Sequence, residues 1–456
     1  MGLLGTLLKH PGDIPALYYA YRLSRKAKLL PKDPALSFCY DMLNKVSRSF
    51  AMVIQQLGPE LRDSVCVFYL VLRALDTVED DMAIPVPEKV PQLLRFYETC
   101  YDRSYTHTCG VGHYKDLMAQ YPMVVDVFLK LPPGHQAVIV DITKRMGAGM
   151  AEFIEKEVVT IADFNLYCHY VAGLVGIGLS NLFVASGLED QSFCQLDGMS
   201  NGTGLFLQKT NILRDYLEDI MEEPAPRMFW PRDVWSLYAA ELADFKEPEH
   251  RAPAVKCLNH LVTDALGNAL DSLEYLSRVR DVHNFRFCAI PQMMAIATLA
   301  ECYGNGEVFE RVVKIRRGLS ARIMLSCEGM ADVYRCFQHF SGELAAKVKP
   351  ALDPNAQATL AAVEKIEEVC QRGLAGMPQA VREESDEISM PVRVLLWLMF
   401  AGYAAYAFGL GDVRAALGVS RDAGATSVDV MQQVLATMCL SGISVFVLIG
   451  RKRVVY

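Results

Sequence analysis

The sequence predicts an all-α chain with a separate, membrane-directed tail, and three observations carry that reading. Stretches 61–75, 136–156, 166–185, 204–220 and 255–277 are rich in Leu, Ala, Met, Glu and Arg, exceed strand length and lack strand alternation. Breakers fall between them: Pro85, Pro87 and Pro91, then Pro132, Pro133 and Gly134, then Pro224 and Pro226, then Pro248 and Pro253. Of the 456 residues, 52% are apolar and 21% charged, which excludes disorder. No internal repeat is visible. The expected organisation is one helical domain over residues 1–370, a linker over 371–391 holding Gly373, Gly376 and Pro378, and a C-terminal segment over 392–456.

Taken in order, the first helical stretch is almost wholly apolar over 65–72, which implies a buried helix, and it ends on the acidic run Asp76-Thr77-Val78-Glu79-Asp80-Asp81. The next two carry Gly147 and Gly149, then Gly173, Gly176 and Gly178, where each glycine costs about 1 kcal/mol against alanine. Close helix packing and room for a ligand chain both explain them. The fourth carries Gln208, Asn211, Asp215 and Asp219, a polar stripe at spacings of 3, 4 and 4 on an otherwise apolar helix.

The tail reads differently. Residues 394–411 and 430–450 are uncharged runs of 18 and 21 residues. At about 1.5 Å per residue they approach the roughly 30 Å of a bilayer core. Arg393 precedes the first run and Arg451, Lys452 and Arg453 follow the second. Basic outer flanks place both ends, and the body, on the cytosolic side. Buried core helices are the alternative. The first eight residues are too short and too poor in basic residues for a signal peptide, although Gly2 and Thr6 fit the permissive myristoylation pattern. Thirteen scattered cysteines with no Cys-x-x-Cys pair point to a reducing compartment rather than a disulfide framework or a zinc site.

Net charge is −8, which disfavours nucleic acid as a partner. Residues 392–456 carry six Lys/Arg and three Asp, so the body is the acidic part and calls for cationic ligands. The acidic clusters say where. Asp76, Glu79 and Asp80, and again Asp215, Glu218 and Asp219, stand at i, i+3 and i+4 and share a helix face. Solvated acidic faces are common, but these helices are greasy, and a buried carboxylate neutralises or finds a cation. Mg2+ is the hard cation that binds through one or two carboxylates plus substrate phosphate oxygens. Two such faces would clamp a diphosphate through metal ions held by Asp76, Glu79, Asp80, Asp215 and Asp219. Arg48, Arg73 and Arg214 stand close to these clusters or in a neighbouring segment, and guanidinium suits phosphate.

At these residues the chain resembles the squalene synthases, within the wider head-to-head isoprenyl synthase group that includes phytoene synthases. The segments are VSRSFAMVIQQL (46–57), VFYLVLRALDTVEDDM (67–82), YCHYVAGLVGIGLSNLF (167–183), GLFLQKTNILRDYLEDI (204–220), MFWPRDVW (228–235), FRFCAIPQMMAIATLAECY (285–303) and VKIRRG (313–318). The last two point to squalene synthases rather than phytoene synthases. The resemblance implies a helical isoprenoid-synthase bundle around a central cavity. It implies condensation of two farnesyl diphosphates to presqualene diphosphate, then NADPH-dependent reductive rearrangement to squalene, with Mg2+ required. It implies a monomer on the endoplasmic reticulum membrane, its catalytic domain in the cytosol. An enzyme that stops at presqualene diphosphate or makes another C30 product is the alternative; a catalytically dead membrane scaffold is a weaker one.

The resemblance also assigns residues. Tyr167 matches the tyrosine that takes or relays a proton in cyclopropane formation, and Tyr69 and Arg73 match a pair linked to the second step. Phe50, Phe285 and Phe287 match aromatic positions whose faces would stabilise carbocations. Arg48, Arg73, Arg214, Lys314 and Arg316 match cofactor-binding positions; there is no Gly-x-Gly-x-x-Gly after a strand. Arg48, through its guanidinium, and Gln208 and Asn211, on the polar stripe, are expected to bind substrate. Where a cofactor-side lysine is expected ahead of the SRSF segment stands Asp41, with Lys45 nearby. His169 is expected to be a structural histidine.

Overall fold

The computed structural model describes residues 10–378 apart from Arg48. The described residues contain helices and turns and no strand. Helices that frame the site are α1 (Ile14–Ala27), α2 (Pro34–Ser47), α3 (Pro59–Asp80), α4 (Val86–Arg95), α5 (Pro133–Phe153) and α6 (Ile161–Ala185). They continue with α7 (Asp197–Arg214), α8 (Tyr216–Ile220), α9 (Arg251–Arg278), α10 (Val282–Cys302), α11 (Arg317–Ser326), α12 (Met330–Lys347) and α13 (Ala356–Ala375). One compact unit spans Ala16–Met377. The two uncharged runs at 394–411 and 430–450 lie outside the described residues, as does most of the expected linker.

Helix α7 is the hub: it packs along α9, α10 and α6, while α3 and α4 pack on α5 and α12 packs on α10 and α13. The expected burial of the first acidic helix is borne out, with Val65, Cys66, Val67, Phe68, Leu70, Val71 and Leu75 at 0–2% exposure. Burying an aliphatic side chain of this kind contributes about 1.5–3 kcal/mol, so α3 is fixed by its apolar faces whatever its acidic end does. The described cysteines are all free.

Close approach, rather than ligand space, explains the glycines. A Cβ at Gly176 would lie 2.2 Å from the Ser200 carbonyl oxygen on α7, and one at Gly147 would lie 2.3 Å from that of Leu93 on α4. Positions 149, 173 and 178 likewise face Tyr170, Asn201 and Phe68 within 2.7 Å. Helix α6 is long and apolar enough to cross a membrane by composition, but these contacts make it a core helix.

Three expectations change. The stretch 204–220 is not one helix: α7 stops at Arg214, Asp215 adopts φ −94° and ψ 13°, and α8 restarts at Tyr216. The backbone bonds Asp215 N to Asn211 O and Asp219 N to Asp215 O carry the i, i+4 relation across the break. Pro91 lies inside α4, and Pro253 lies in the first turn of α9, where its missing N–H leaves no bond unmade. Helix α13 runs five residues past the expected boundary at 370, because Gly373 is a packing glycine set against the Tyr334 ring.

Candidate active site

The first acidic cluster occupies the C-terminal turns of α3. Glu79 is 10% exposed, Asp76 22% and Asp80 49%. The second begins at the α7–α8 break, where Asp215 is 19% exposed. After α8 the chain enters the loop 221–231, and Arg227 joins the two clusters. Its backbone N–H donates to the Asp219 carbonyl at 3.2 Å, while its guanidinium reaches Glu79 Oε1 at 2.6 Å and also pairs with Asp80. Sequence reasoning missed Arg227. A cation in a proline-bounded loop just after an acidic run was the available signal.

The carboxylates carry the electrostatic signature of too little positive charge. Burial pushes Asp76 up to about 6, with Arg73 opposing and Asp80 reinforcing. Burial pushes Glu79 up to about 8 against the pull of Arg227. Burial and then repulsion from Asp215, Glu222 and Glu218 push Asp219 up to about 7. Burial alone would lower the Arg227 pKa, but Glu79 and Asp80 more than offset it. Lys89, 5% exposed, adds a second unanticipated cation by donating to the Glu79 backbone carbonyl at 2.7 Å. It sits at the negative end of the α3 dipole.

Among the described residues no group of three His, Cys, Asp or Glu side chains is placed to hold an ion alone. Carboxylate oxygens are the donors a hard cation takes alongside water or phosphate oxygens, so Asp76, Glu79 and Asp219 could hold such an ion only as part of a shell completed by a substrate, not as a closed protein cage.

Tyr167, 6% exposed, lies in α6 just before the π turn His169–Gly173; such turns recur at functional sites. Its ring stacks on Phe229 at 3.8 Å and meets Phe153 edge-on at 5.4 Å. Burial, then the nearby Glu79, holds its phenol well above the ordinary range, with Arg227 opposing. Tyr167 therefore keeps its proton beside the first acidic cluster. Both Phe229 and Arg227, which lies 5.8 Å from the Phe229 ring, come from the 221–231 loop.

A second constellation stands one turn back on α3. Arg73 pairs with Asp76 at 3.3 Å, lies 5.7 Å from the Tyr69 ring and 5.8 Å from that of Tyr114, and donates to the Tyr69 hydroxyl at 3.5 Å. The Phe50 ring, 40% exposed, is 6.4 Å from that of Tyr69. Phe50, Tyr69, Arg73 and Asp76 are thus brought together. Phe285 and Phe287 are buried on α10, about 200° apart around the helix, so they do not share one face. Gln208 is half-buried and Asn211 exposed. Arg214 forks onto its neighbour Asp215, with Nε to Oδ1 at 2.8 Å. Lys314 is exposed and Arg316 half-buried, immediately before α11. Lys45 pairs with Asp41 at 2.7 Å, and His169 meets Asn201 at 2.7 Å, as a structural histidine would. Arg48 lies outside the described residues.

Two acidic helix ends joined by Arg227 near the buried Tyr167, in a unit that is all-helical among the described residues, agree with the class that the sequence resemblance implies, the isoprenoid diphosphate synthases. Comparison with known proteins gives the family. The squalene/phytoene synthase family model matches residues 43–318. The squalene synthase LSS of Botryococcus braunii is 50% identical over 459 residues, covering 98% of this chain and 99% of its own. Squalene synthase 1 of Panax ginseng is 56% identical over 372 residues, covering 81% of this chain and 89% of its own. A solved structure of TcSQS with the ligand E5700 superposes with a TM-score of 0.73 at 45% identity, covering 75% of this chain and 99% of that one. The chain belongs to the squalene/phytoene synthase family, on its squalene synthase branch.

Proposed function

We propose that this chain condenses two farnesyl diphosphates head to head to presqualene diphosphate and converts that intermediate reductively to squalene. The relatives at 50–56% identity, which share nearly the whole described body, support this over an enzyme that stops at the intermediate. The single structural observation that carries it is the pair of under-neutralised acidic clusters joined by Arg227 beside Tyr167.

Asp76, Glu79, Asp80, Asp215 and Asp219 would hold Mg2+, which when bound supplies Lewis-acid stabilisation of a departing diphosphate. Arg73 and Arg227 add guanidinium donors at the same place. Tyr167, its proton held tightly, acts first as a donor and orienting group. Neutralising the neighbouring Glu79 would ease a proton relay through Tyr167 by removing the smaller of the two leading causes that hold its proton, burial being the larger. Phe50, its ring 6.4 Å from that of Tyr69, offers a π face to a developing cation, while the Tyr69 ring is already met by the Arg73 guanidinium. Arg48, Arg73, Arg214, Lys314 and Arg316 would hold the phosphates of NADPH. The N-terminus of α11 directly after Arg316 favours anions and fits that role. NADPH, when bound, would supply the hydride. The helical body through α13 forms the catalytic part around a central cavity, the residues from there to 391 link it, and 392–456 anchor a monomer in the endoplasmic reticulum membrane with its catalytic part in the cytosol.

The test is incubation of the purified chain with farnesyl diphosphate and Mg2+, with and without NADPH. Squalene forms only with the reductant. Presqualene diphosphate that persists in its presence overturns the reading.

A further inference from the structure

The strongest feature outside the site is the run from Ala16 to Lys32 on the compact unit. Its sequence, ALYYAYRLSRKAKLLPK, holds five cations and no acid, in a chain of net charge −8. The cations Arg22, Arg25, Lys26, Lys28 and Lys32 are all exposed. So are three large apolar side chains among them, Tyr21 at 57%, Leu29 at 75% and Leu30 at 45%. Helical spacing puts Tyr21, Arg22, Arg25 and Lys26 within about 140° of arc. The opposite face is the packed one: Ala16 and Ala27 are buried, the Tyr19 hydroxyl meets Arg286, and Asn44 donates to the Ala27 carbonyl.

Among the described residues no carboxylate lies within ion-pair distance of these five cations. Neighbouring acids are engaged elsewhere, Asp33 by Lys130 at 2.9 Å and Asp41 by Lys45 at 2.7 Å. Five exposed cations without a partner carboxylate form a positive patch on an acidic protein, and such a patch attracts an anionic surface. The interleaved leucines and tyrosine say which kind. A polyanion in water gains nothing from exposed Leu29 and Leu30. A bilayer surface takes up leucine and tyrosine at the headgroup boundary while basic side chains meet anionic headgroups.

We propose that residues 16–32 dock the helical unit onto an anionic lipid surface, through contacts separate from any membrane insertion of the C-terminal tail. The test is lysine footprinting with a water-soluble acylating reagent. The full chain is incubated with vesicles of phosphatidylcholine alone or with 30% phosphatidylserine. Lys115 and Lys349, both exposed, serve as references. On anionic vesicles, acylation of Lys26, Lys28 and Lys32 slows at least fivefold relative to the references. About 0.5 M NaCl relieves the slowing because salt screens surface charge. The double variant Arg22→Glu/Arg25→Glu abolishes it at Lys28 and Lys32 while squalene formation in detergent stays within twofold of the parent.

Unchanged acylation on anionic vesicles overturns the proposal. So does equal slowing on neutral vesicles, which would be proximity imposed by the tail. Slowing that follows protein concentration without anionic lipid also overturns it and makes the face a contact between copies. A tail that does not insert shows separately, as loss of association with neutral vesicles; the patch is still read on the anionic ones.

Discussion

Arg227→Gln isolates the cation that joins the two acidic clusters. Its guanidinium, 20% exposed, pairs at 2.6 Å with Glu79, which is 10% exposed. Breaking a buried ion pair costs about 3–5 kcal/mol, and the partial exposure here reduces that to about 2–4 kcal/mol, read above pH 8, where Glu79 is ionised. The Asp80 contact is omitted from this figure because Asp80 is 49% exposed and solvent screens it. At about 2.1 cal/mol/K of unfolding entropy per residue over a unit spanning Ala16–Met377, the loss lowers the metal-free Tm by about 3–5 °C. Mg2+ should then act differently on the two proteins. In the parent it must displace a guanidinium; in the variant it displaces only the protons that the carboxyls retain. A ligand at about 100 times its Kd contributes about 2.7 kcal/mol, enough to restore most of the loss. Differential scanning fluorimetry across a Mg2+ titration, with calorimetric Kd values, reads both. The variant should start lower, gain more and bind Mg2+ more tightly. Equal Mg2+ gains in parent and variant would refute the idea that Arg227 stands in for a metal.

Metal-free stability should fall as pH rises from 5 to 8. The fold holds protons on Glu79 to about 8 and on Asp219 to about 7, whereas the unfolded chain releases them near 4. These raised pKa values thus favour folding at acid pH, and a flat Tm across that window contradicts them. Asp80→Asn should cut squalene formation at least about a hundredfold, by loss of a charge that serves the departing diphosphate. It should barely move Tm, since Arg227 keeps Glu79; undiminished turnover sinks the metal-clamp assignment. Tyr167→Phe should retain the 3.8 Å stack on Phe229 and melt within about 2 °C of the parent, yet accumulate no presqualene diphosphate. If the intermediate still forms at the parental rate, Tyr167 has no role in the first step. Gly176→Ala should destabilise by about 1–3 kcal/mol through its clash with the Ser200 carbonyl, seen as a lower denaturant midpoint at unchanged slope.

Much of the fold was legible because helical chemistry is local. The 3.6-residue repeat places Asp76, Glu79 and Asp80 on one face whatever surrounds them, and a greasy run such as 65–72 buries itself in any bundle. The salt bridge from Arg73 to Asp76 is of the same kind, three residues apart on one helix. So the sequence by itself determined the all-helical class, the two acidic helix ends and the chemistry they call for.

The tertiary structure decided everything that depends on chain routing. Arg227 meets Glu79 and Asp80 across 148 and 147 residues of sequence, through a loop whose path no periodicity records. Lys89 turns back onto the last turn of α3 in the same way. The glycines of α6 are open to two readings along the chain, and only the carbonyl of Ser200 lying where a Cβ would be selects packing. Spacing within a helix is set by backbone hydrogen bonds that the local sequence chooses, whereas contact between helices is set by which apolar faces bury one another, and that is a property of the whole chain.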